Sequence, residues 1–133
     1  YGYLLKHEAT TLWESFVEME KDELPCDSYN HYFWGSVTAW FYRSLAGLNI
    51  TSHNTVEINP HPINQLDYAE AEYALNGRKI SVKWQRDGDA ISVNIYNENF
   101  SGIVKIDGYS VDGKKECILK YGENFFMFTA TTR

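Results

Sequence analysis

The chain has 133 residues, of which 44% are hydrophobic and 23% are charged, as is typical of one folded globular domain and not of a disordered segment. The formal net charge of −6 makes nucleic acid a poor partner, because an acidic surface repels phosphates. The sequence contains no run of about 18 apolar residues, so we expect no membrane-spanning helix.

The first predicted helix begins after Thr10 or Thr11, since either residue can cap it. Its apolar positions are three or four residues apart and comprise Leu12, Trp13, Phe16 and Met19. Pro25 and the polar stretch 26–28 are expected to end this helix.

A second helix is predicted to begin near Ser28 or Asn30, because both residues are favourable N-caps. Its wide apolar stripe is formed by Phe33, Val37, Trp40, Phe41, Leu45 and Leu48. Gly47 or Asn49 can end the helix. This stripe is too apolar for a solvated helix face, so we expect it to pack on the following sheets, on further helices or on a second copy of the chain.

After residue 50 the apolar pattern changes to a period of two, which is typical of β-strands with one buried face. Turn signals separate the alternating runs: Asn76–Gly77, Asp87–Gly88, Asn97–Asn99, Asp107–Gly108, Asp112–Gly113 and Tyr121–Gly122. Short strands about ten residues apart predict an antiparallel sandwich from about residue 54 onward. Trp84 alternates in phase with Ile80 and Val82, so we expect its side chain to be buried.

These patterns predict a mainly β fold, in which an antiparallel β-sandwich is preceded by two α-helices. We place the helices in residues 1–52 and the sandwich in residues 53–133. The chain opens on Tyr1 without a methionine, which we interpret as the mark of a piece cut from a longer protein. A signal sequence on that protein would not be visible here, so a cytoplasmic and a secreted location both stay open.

Glu14 and His31 are the residues that we single out for chemistry. Glu14 follows Trp13 in the first turn of the predicted helix, where the helix dipole favours the anionic carboxylate that a general base requires. His31 lies in a polar and aromatic cluster at the second helix start, where its ring nitrogens can hydrogen-bond a hydroxyl group. By pattern alone a surface glutamate and a histidine with a backbone or water partner are more frequent, and glycoside hydrolysis needs a second carboxylate that the pattern does not identify.

The four histidines and two cysteines show no metal-ligand spacing. The sequence also has no phosphate-binding loop, no nucleotide fingerprint and no recognisable Ser/His/Asp set. We therefore expect no metal ion and no other cofactor.

Four segments, read in chain order, carry a family resemblance: GYLLKHEATTLWESF, DSYNHYFWGSVTAWFYRSLAGL, VEINPHP and LDYAEAEYALNGRKISVKW. They resemble the C-terminal region of the bacterial α-L-rhamnosidases of glycoside hydrolase family 78. The Thr-Thr-x-Trp-Glu and Ser-x-Asn-His-Tyr motifs are specific, whereas beyond about residue 85 the resemblance rests on alternation and a final KYGENFFMF. It implies that residues 1–52 are the last helices of a catalytic (α/α)6 barrel and that a β-sandwich domain follows.

The same resemblance implies an inverting hydrolase that cleaves terminal α-L-rhamnosyl linkages in a rhamnose-containing glycan or glycoside. Glu14 would be the general base, His31 would contact the rhamnose, and Trp13 would shape the pocket. The general acid would lie earlier in the barrel, outside these residues, so the chain alone would be inactive. Trp34 and Ala39 depart from the family's pattern, which bears on substrate preference more than on enzyme class.

Two other roles are compatible with the sandwich. A carbohydrate-binding module would expose aromatic side chains on one face of the sandwich, whereas a structural domain would only brace the helices. For residues 53–133 we prefer the bracing role, which agrees with the enzyme role because the sandwich then holds the helices that carry the site.

Overall fold

The computed structural model describes residues 2–14 and 29–131. The chain divides between Ala39 and Trp40 into two compact units. The boundary that we predicted after residue 52 is a different one, because it separates the barrel from the sandwich in a longer protein. It stays a prediction. None of the described helices is long and apolar enough to cross a membrane.

The described helical segments are short. Helix α1 spans Gly2–Lys6. A 3₁₀ turn over Tyr32–Ser36 leads into helix α2 over Val37–Trp40, and a π-helical turn over Phe41–Leu45 continues it. The second predicted helix is therefore confirmed as a helical run, although it changes its hydrogen-bond pattern twice along its length.

The strands among the described residues are, in chain order, β1 Leu48–Ser52, β2 Thr55–Ile58, β3 Tyr68–Leu75, β4 Arg78–Asp87, β5 Ala90–Asn97, β6 Ser101–Lys105, β7 Tyr109–Ser110, β8 Glu116–Ile118 and β9 Gly122–Ala130. One sheet has the order β1-β2-β6-β8, and the other has the order β3-β4-β5-β9-β7. All paired strands are antiparallel except β2 and β6, which are parallel.

The two sheets share one apolar core. Its members come from both sheets and include Val56, Ile58, Val104, Ile80, Val82, Ile91, Val93, Ile95 and Phe128. Trp84 lies in the same core with none of its surface exposed, as its phase in the alternation predicts. The predicted fold class, a mainly β sandwich after two helical segments, is confirmed.

Gly47 sets the junction between the helical run and the first strand. Its φ of +78° suits glycine and ends the helix, as the sequence predicted. The backbone of Pro60 is so close that a Cβ at position 47 would lie 2.1 Å from its nitrogen. Leu48 then begins β1, is buried and pairs with Ile58, so its predicted place in the helical stripe was wrong. The first strand accordingly begins at residue 48, before the predicted residue 54.

The first predicted helix differs from the structure in its position. Helix α1 lies before it and ends where Glu8 adopts a left-handed φ of 51°. Residues 10–14 form bends and irregular backbone in place of a capped helix start. The Thr11 hydroxyl, which was expected to cap a helix, donates to the backbone oxygen of Tyr29. The rest of the predicted helix, at residues 15–28, lies outside the described residues.

The indole N–H of Trp84 donates to the backbone oxygen of Leu45 at 2.6 Å. The last carbonyl groups of a helical run have no partner within the run, and one left without a donor is costly. The interior strand β4 therefore supplies a partner for the end of the helical run from inside the core.

Trp84→Phe should lower the free energy of unfolding by about 1–3 kcal/mol, because the Leu45 oxygen loses its donor and the smaller ring fills less of the site. Urea unfolding followed by circular dichroism measures this change. Trp40→Phe is the matched control, because Trp40 is 49% exposed, and its cost should stay within about 0.5 kcal/mol. Equal losses in the two variants would contradict this role for Trp84.

Candidate functional site

Two short segments of the first compact unit lie side by side and carry the predicted site residues. The backbone N–H of His31 donates to the oxygen of Leu12 at 2.7 Å. The Thr11 hydroxyl makes a second link, to the backbone oxygen of Tyr29. These two hydrogen bonds fix residues 11–14 against residues 29–31, although the segments are far apart in the chain.

Glu14 and His31 meet at the end of this pairing. The Oε2 atom of Glu14 lies 3.2 Å from Nδ1 of His31, and the two side chains are 41% and 29% exposed. An ion pair this exposed contributes only about 0–1 kcal/mol to stability, so the contact matters for orientation more than for folding. With its proton on Nδ1, the imidazole donates to the carboxylate and fixes the direction of both groups.

Such a pair suits acid–base chemistry. A carboxylate held by a neighbouring donor has a defined direction for its remaining oxygen lone pairs, which is the first requirement of a general base. Glu14 lies in a bend and not inside a helical turn, so the argument from a helix dipole does not apply to its described position. His31 directly precedes the 3₁₀ turn at Tyr32, as predicted for a residue at a helix start.

Trp13 is the centre of an aromatic cluster next to this pair. Its ring lies edge-on to Tyr29, with centroids 5.3 Å apart and an interplanar angle of 87°. Tyr3 lies 6.4 Å away at 73°, and His7 lies 6.2 Å away at 44°. Aromatic rings prefer edge-to-face arrangements like those of Tyr3 and Tyr29 with Trp13, and Trp13 directly precedes Glu14 in the chain.

The sequence analysis did not single out Tyr3, His7 or Tyr29. Tyr3 and His7 are four residues apart, and their rings lie 4.4 Å apart at the end of α1. The four-residue spacing is the feature of the sequence from which this ring contact could have been predicted, because residues four apart meet on one helix face. Tyr29 belongs to the polar and aromatic cluster that drew attention to His31, but only the fold shows that its ring reaches Trp13.

A cavity of about 260 Å³ opens in the first unit and is lined by Leu4, Leu5, Ala9, Thr10, Thr11 and Leu12. Its lining is mostly apolar, and neither Glu14 nor His31 takes part in it. Its volume is below the usual range for a small-molecule site. We therefore assign the chemistry to the Glu14–His31 pair and not to this cavity.

Metal-binding groups are not gathered at this site. Within residues 2–14 and 29–131, no three side chains of His, Cys, Asp or Glu come together in a way that would hold a metal ion. Among the residues that the structure describes, a carboxylate, an imidazole and aromatic rings come together at this site.

The known proteins that are similar to this chain are alpha-L-rhamnosidases. Residues 1–45 match the family model of the bacterial alpha-L-rhamnosidase 6 hairpin glycosidase domain. An alpha-L-rhamnosidase of Streptomyces avermitilis is 32% identical over 92 residues, which are 65% of this chain and 9% of that protein. An alpha-L-rhamnosidase of an Alteromonas species is 26% identical over 99 residues, or 70% of this chain and 11% of that protein.

A solved structure extends the likeness over the whole chain. The alpha-L-rhamnosidase from Dictyoglumus thermophilum superposes with a TM-score of 0.73 at 25% identity, and the match covers 98% of this chain and 17% of that one. The chain spans about a tenth of the length of the curated relatives. The predicted resemblance is confirmed.

Proposed function

Since this chain is homologous to part of the bacterial α-L-rhamnosidases, we propose that it supplies one half of a glycosidase active site within a longer enzyme. Glu14 is the general base of that site, and His31 and Trp13 shape the sugar pocket. The observation that carries this proposal is the 3.2 Å contact between Glu14 and His31, which joins the two specific motifs of the sequence.

The reaction is the hydrolysis of a terminal α-L-rhamnosyl linkage with inversion. The Glu14 carboxylate takes a proton from a water molecule, whose oxygen bonds to the anomeric carbon on the face opposite the leaving group. The bond from that carbon to the aglycone oxygen breaks, and a carboxylic acid elsewhere in the longer enzyme protonates this oxygen. The two carboxyl groups of an inverting enzyme lie about 6.5–9.5 Å apart, which leaves room for the water.

The neighbours of Glu14 fit this role. His31 contacts one carboxylate oxygen through Nδ1, and its ring stacks on Tyr32 with centroids 5.7 Å apart, which fixes the orientation of the imidazole beside the sugar pocket that we propose. The aromatic cluster around Trp13 would offer an apolar surface to the methyl group that distinguishes rhamnose from a hexose with a hydroxyl at carbon 6. The substrate is therefore a rhamnose-containing glycan or glycoside.

The sandwich has a bracing role in the same enzyme. Trp84 binds the carbonyl group of Leu45 at the end of the helical run that follows the second motif. This hydrogen bond fixes the end of the helical run on the core of the sandwich. This role needs no contact between the sandwich and the substrate.

In the longer enzyme, Glu14→Gln should lower kcat by about 10²–10⁴-fold on an aryl α-L-rhamnoside, because the amide cannot accept the proton of the water. KM should change less, since the amide keeps nearly the same shape and polarity. Glu116→Gln is the matched control, because it removes an exposed carboxylate on β8, and its kcat should stay unchanged. Near wild-type turnover by Glu14→Gln would remove Glu14 from the mechanism.

The 133-residue chain alone should show no turnover of the aryl rhamnoside, because it contributes the base and not the acid. It should also associate through its helical run, where Trp40, Phe41 and Tyr42 are 49%, 47% and 39% exposed. Exposed apolar side chains in a row favour burial against a second copy. An activity assay and light scattering of the same sample test both expectations.

Turnover by the pure chain would show that the site is complete without further carboxylates. A strict monomer at high concentration would contradict association. The variant Trp40→Ser/Phe41→Ser should weaken association, whereas Tyr121→Ser, which changes a 75% exposed ring on the turn before β9, is the control.

A further inference from the structure

The outer face of the five-stranded sheet combines exposed aromatic rings with uncharged polar groups. Strand register defines two adjacent rows on this face. The first row is Tyr68, Gln85, Ser92 and Met127, and the second is Glu70, Lys83, Asn94 and Phe125. We call these eight side chains the outer face; they point away from the core that contains Trp84.

Two large rings stand at opposite corners of the outer face. Tyr68 is 58% exposed on β3, and Phe125 is 61% exposed on β9. Three strand spacings and two residues of rise separate them, which is about 16 Å. Neither ring is needed to fill the core, since both side chains lie on the solvent side of their strands.

The area between the rings offers hydrogen-bonding groups with little net charge. Gln85, Ser92 and Asn94 supply amide and hydroxyl groups. The charges of the two rows come from Glu70 and Lys83, whose Oε2 and Nζ atoms lie 3.8 Å apart. The eight side chains of the outer face thus carry no net charge, although the next row on the same side of the sheet adds the carboxylates of Glu72 and Glu123.

Lys83 also contacts the ring of Tyr68, at one corner of the outer face. The Nζ atom of Lys83 lies 5.6 Å from the centroid of the Tyr68 ring. This distance is within the range of a cation–π contact, which restrains the ring. A restrained ring loses less entropy on binding than a freely rotating one.

From this arrangement we infer that the outer face binds a neutral polysaccharide. Pyranose rings present C–H groups on their faces, which pack on aromatic rings, and hydroxyl groups at their edges, which bond to amides and hydroxyls. An extended chain of sugars would lie across the strands, with one unit on Tyr68, another on Phe125 and the units between them above Gln85, Ser92 and Asn94. An acidic polymer would gain no attraction from a face without net positive charge.

A second copy of the chain is a poorer occupant of this face. Protein interfaces have a centre that is depleted of charged residues and rich in buried apolar groups. Here the two rings stand at corners, on β3 and β9, and the two middle strands carry Lys83 with three uncharged polar side chains. A stable dimer interface has the opposite arrangement, with apolar groups at the centre and polar groups at the rim.

Affinity electrophoresis of the 133-residue chain in gels that contain unsulfated rhamnan or galactomannan tests the inference. We expect retardation in at least one of these neutral polysaccharides. Phe125→Ala and Tyr68→Ala should each weaken the apparent affinity by about fivefold, which corresponds to the loss of one ring contact. Both side chains are exposed, so the variants should keep the wild-type circular dichroism spectrum.

Two controls separate this face from other parts of the chain. Ile118→Ala removes an exposed apolar side chain, 77% exposed, from β8 in the other sheet, and its retardation should equal that of the wild type. Glu116→Gln removes an exposed carboxylate on β8 and should also bind like the wild type, and none of these variants changes Glu14 or His31. The inference therefore stands or falls separately from the proposed glycosidase role.

Absence of retardation in both neutral gels would overturn the inference. Retardation that persists in both Phe125→Ala and Tyr68→Ala, or retardation only in gels of the acidic polymer heparin, would overturn it as well. If no neutral gel retards the chain, and if the chain forms a dimer that Phe125→Ala abolishes, the outer face binds a second copy instead.

Discussion

The end of the helical run is fixed by hydrogen bonds from the sandwich, and the arrangement of the second unit depends on them. Trp84 donates to the oxygen of Leu45 at 2.6 Å, and the backbone N–H of His61 donates to the oxygen of Ser44 at 2.9 Å. A third bond joins the N–H of Asn59 to the oxygen of Gly47. The first two donors satisfy carbonyl groups that a helix end leaves without partners, and the third holds Gly47, just past the run, next to the end of β2. The run therefore stops at one place, and β1 begins in a register that buries Leu48.

The sandwich was predictable from the sequence because its signals are local. A period of two identifies the face that each strand buries, and Asx-Gly pairs mark tight turns. Asn76 and Gly77 both adopt positive φ, of 52° and 73°, as a two-residue hairpin turn requires. The parallel pairing of β2 with β6 carries no such signal, because it depends on contacts between strands that are distant in sequence.

The helical part was harder to predict, since tertiary contacts outweigh local preferences there. Thr11 is a good N-cap by its chemistry, yet its hydroxyl serves the backbone of Tyr29. Leu48 fits a helical stripe by spacing, yet the close approach of Pro60 to Gly47 turns the chain into a strand. Glu14 and His31 were identified from two motifs and not from periodicity, whereas their contact with each other and the ring contacts of Trp13 became visible only in the fold.

The central claim is that Glu14 activates water for direct attack on the anomeric carbon. The most direct measurement is the proton NMR spectrum of an aryl α-L-rhamnoside during early turnover by the longer enzyme. Direct attack by water predicts that β-L-rhamnose appears first and that the α-anomer accumulates later by mutarotation. First appearance of α-L-rhamnose would mean a covalent intermediate and two displacements, and it would contradict the role of Glu14 as the base of an inverting reaction.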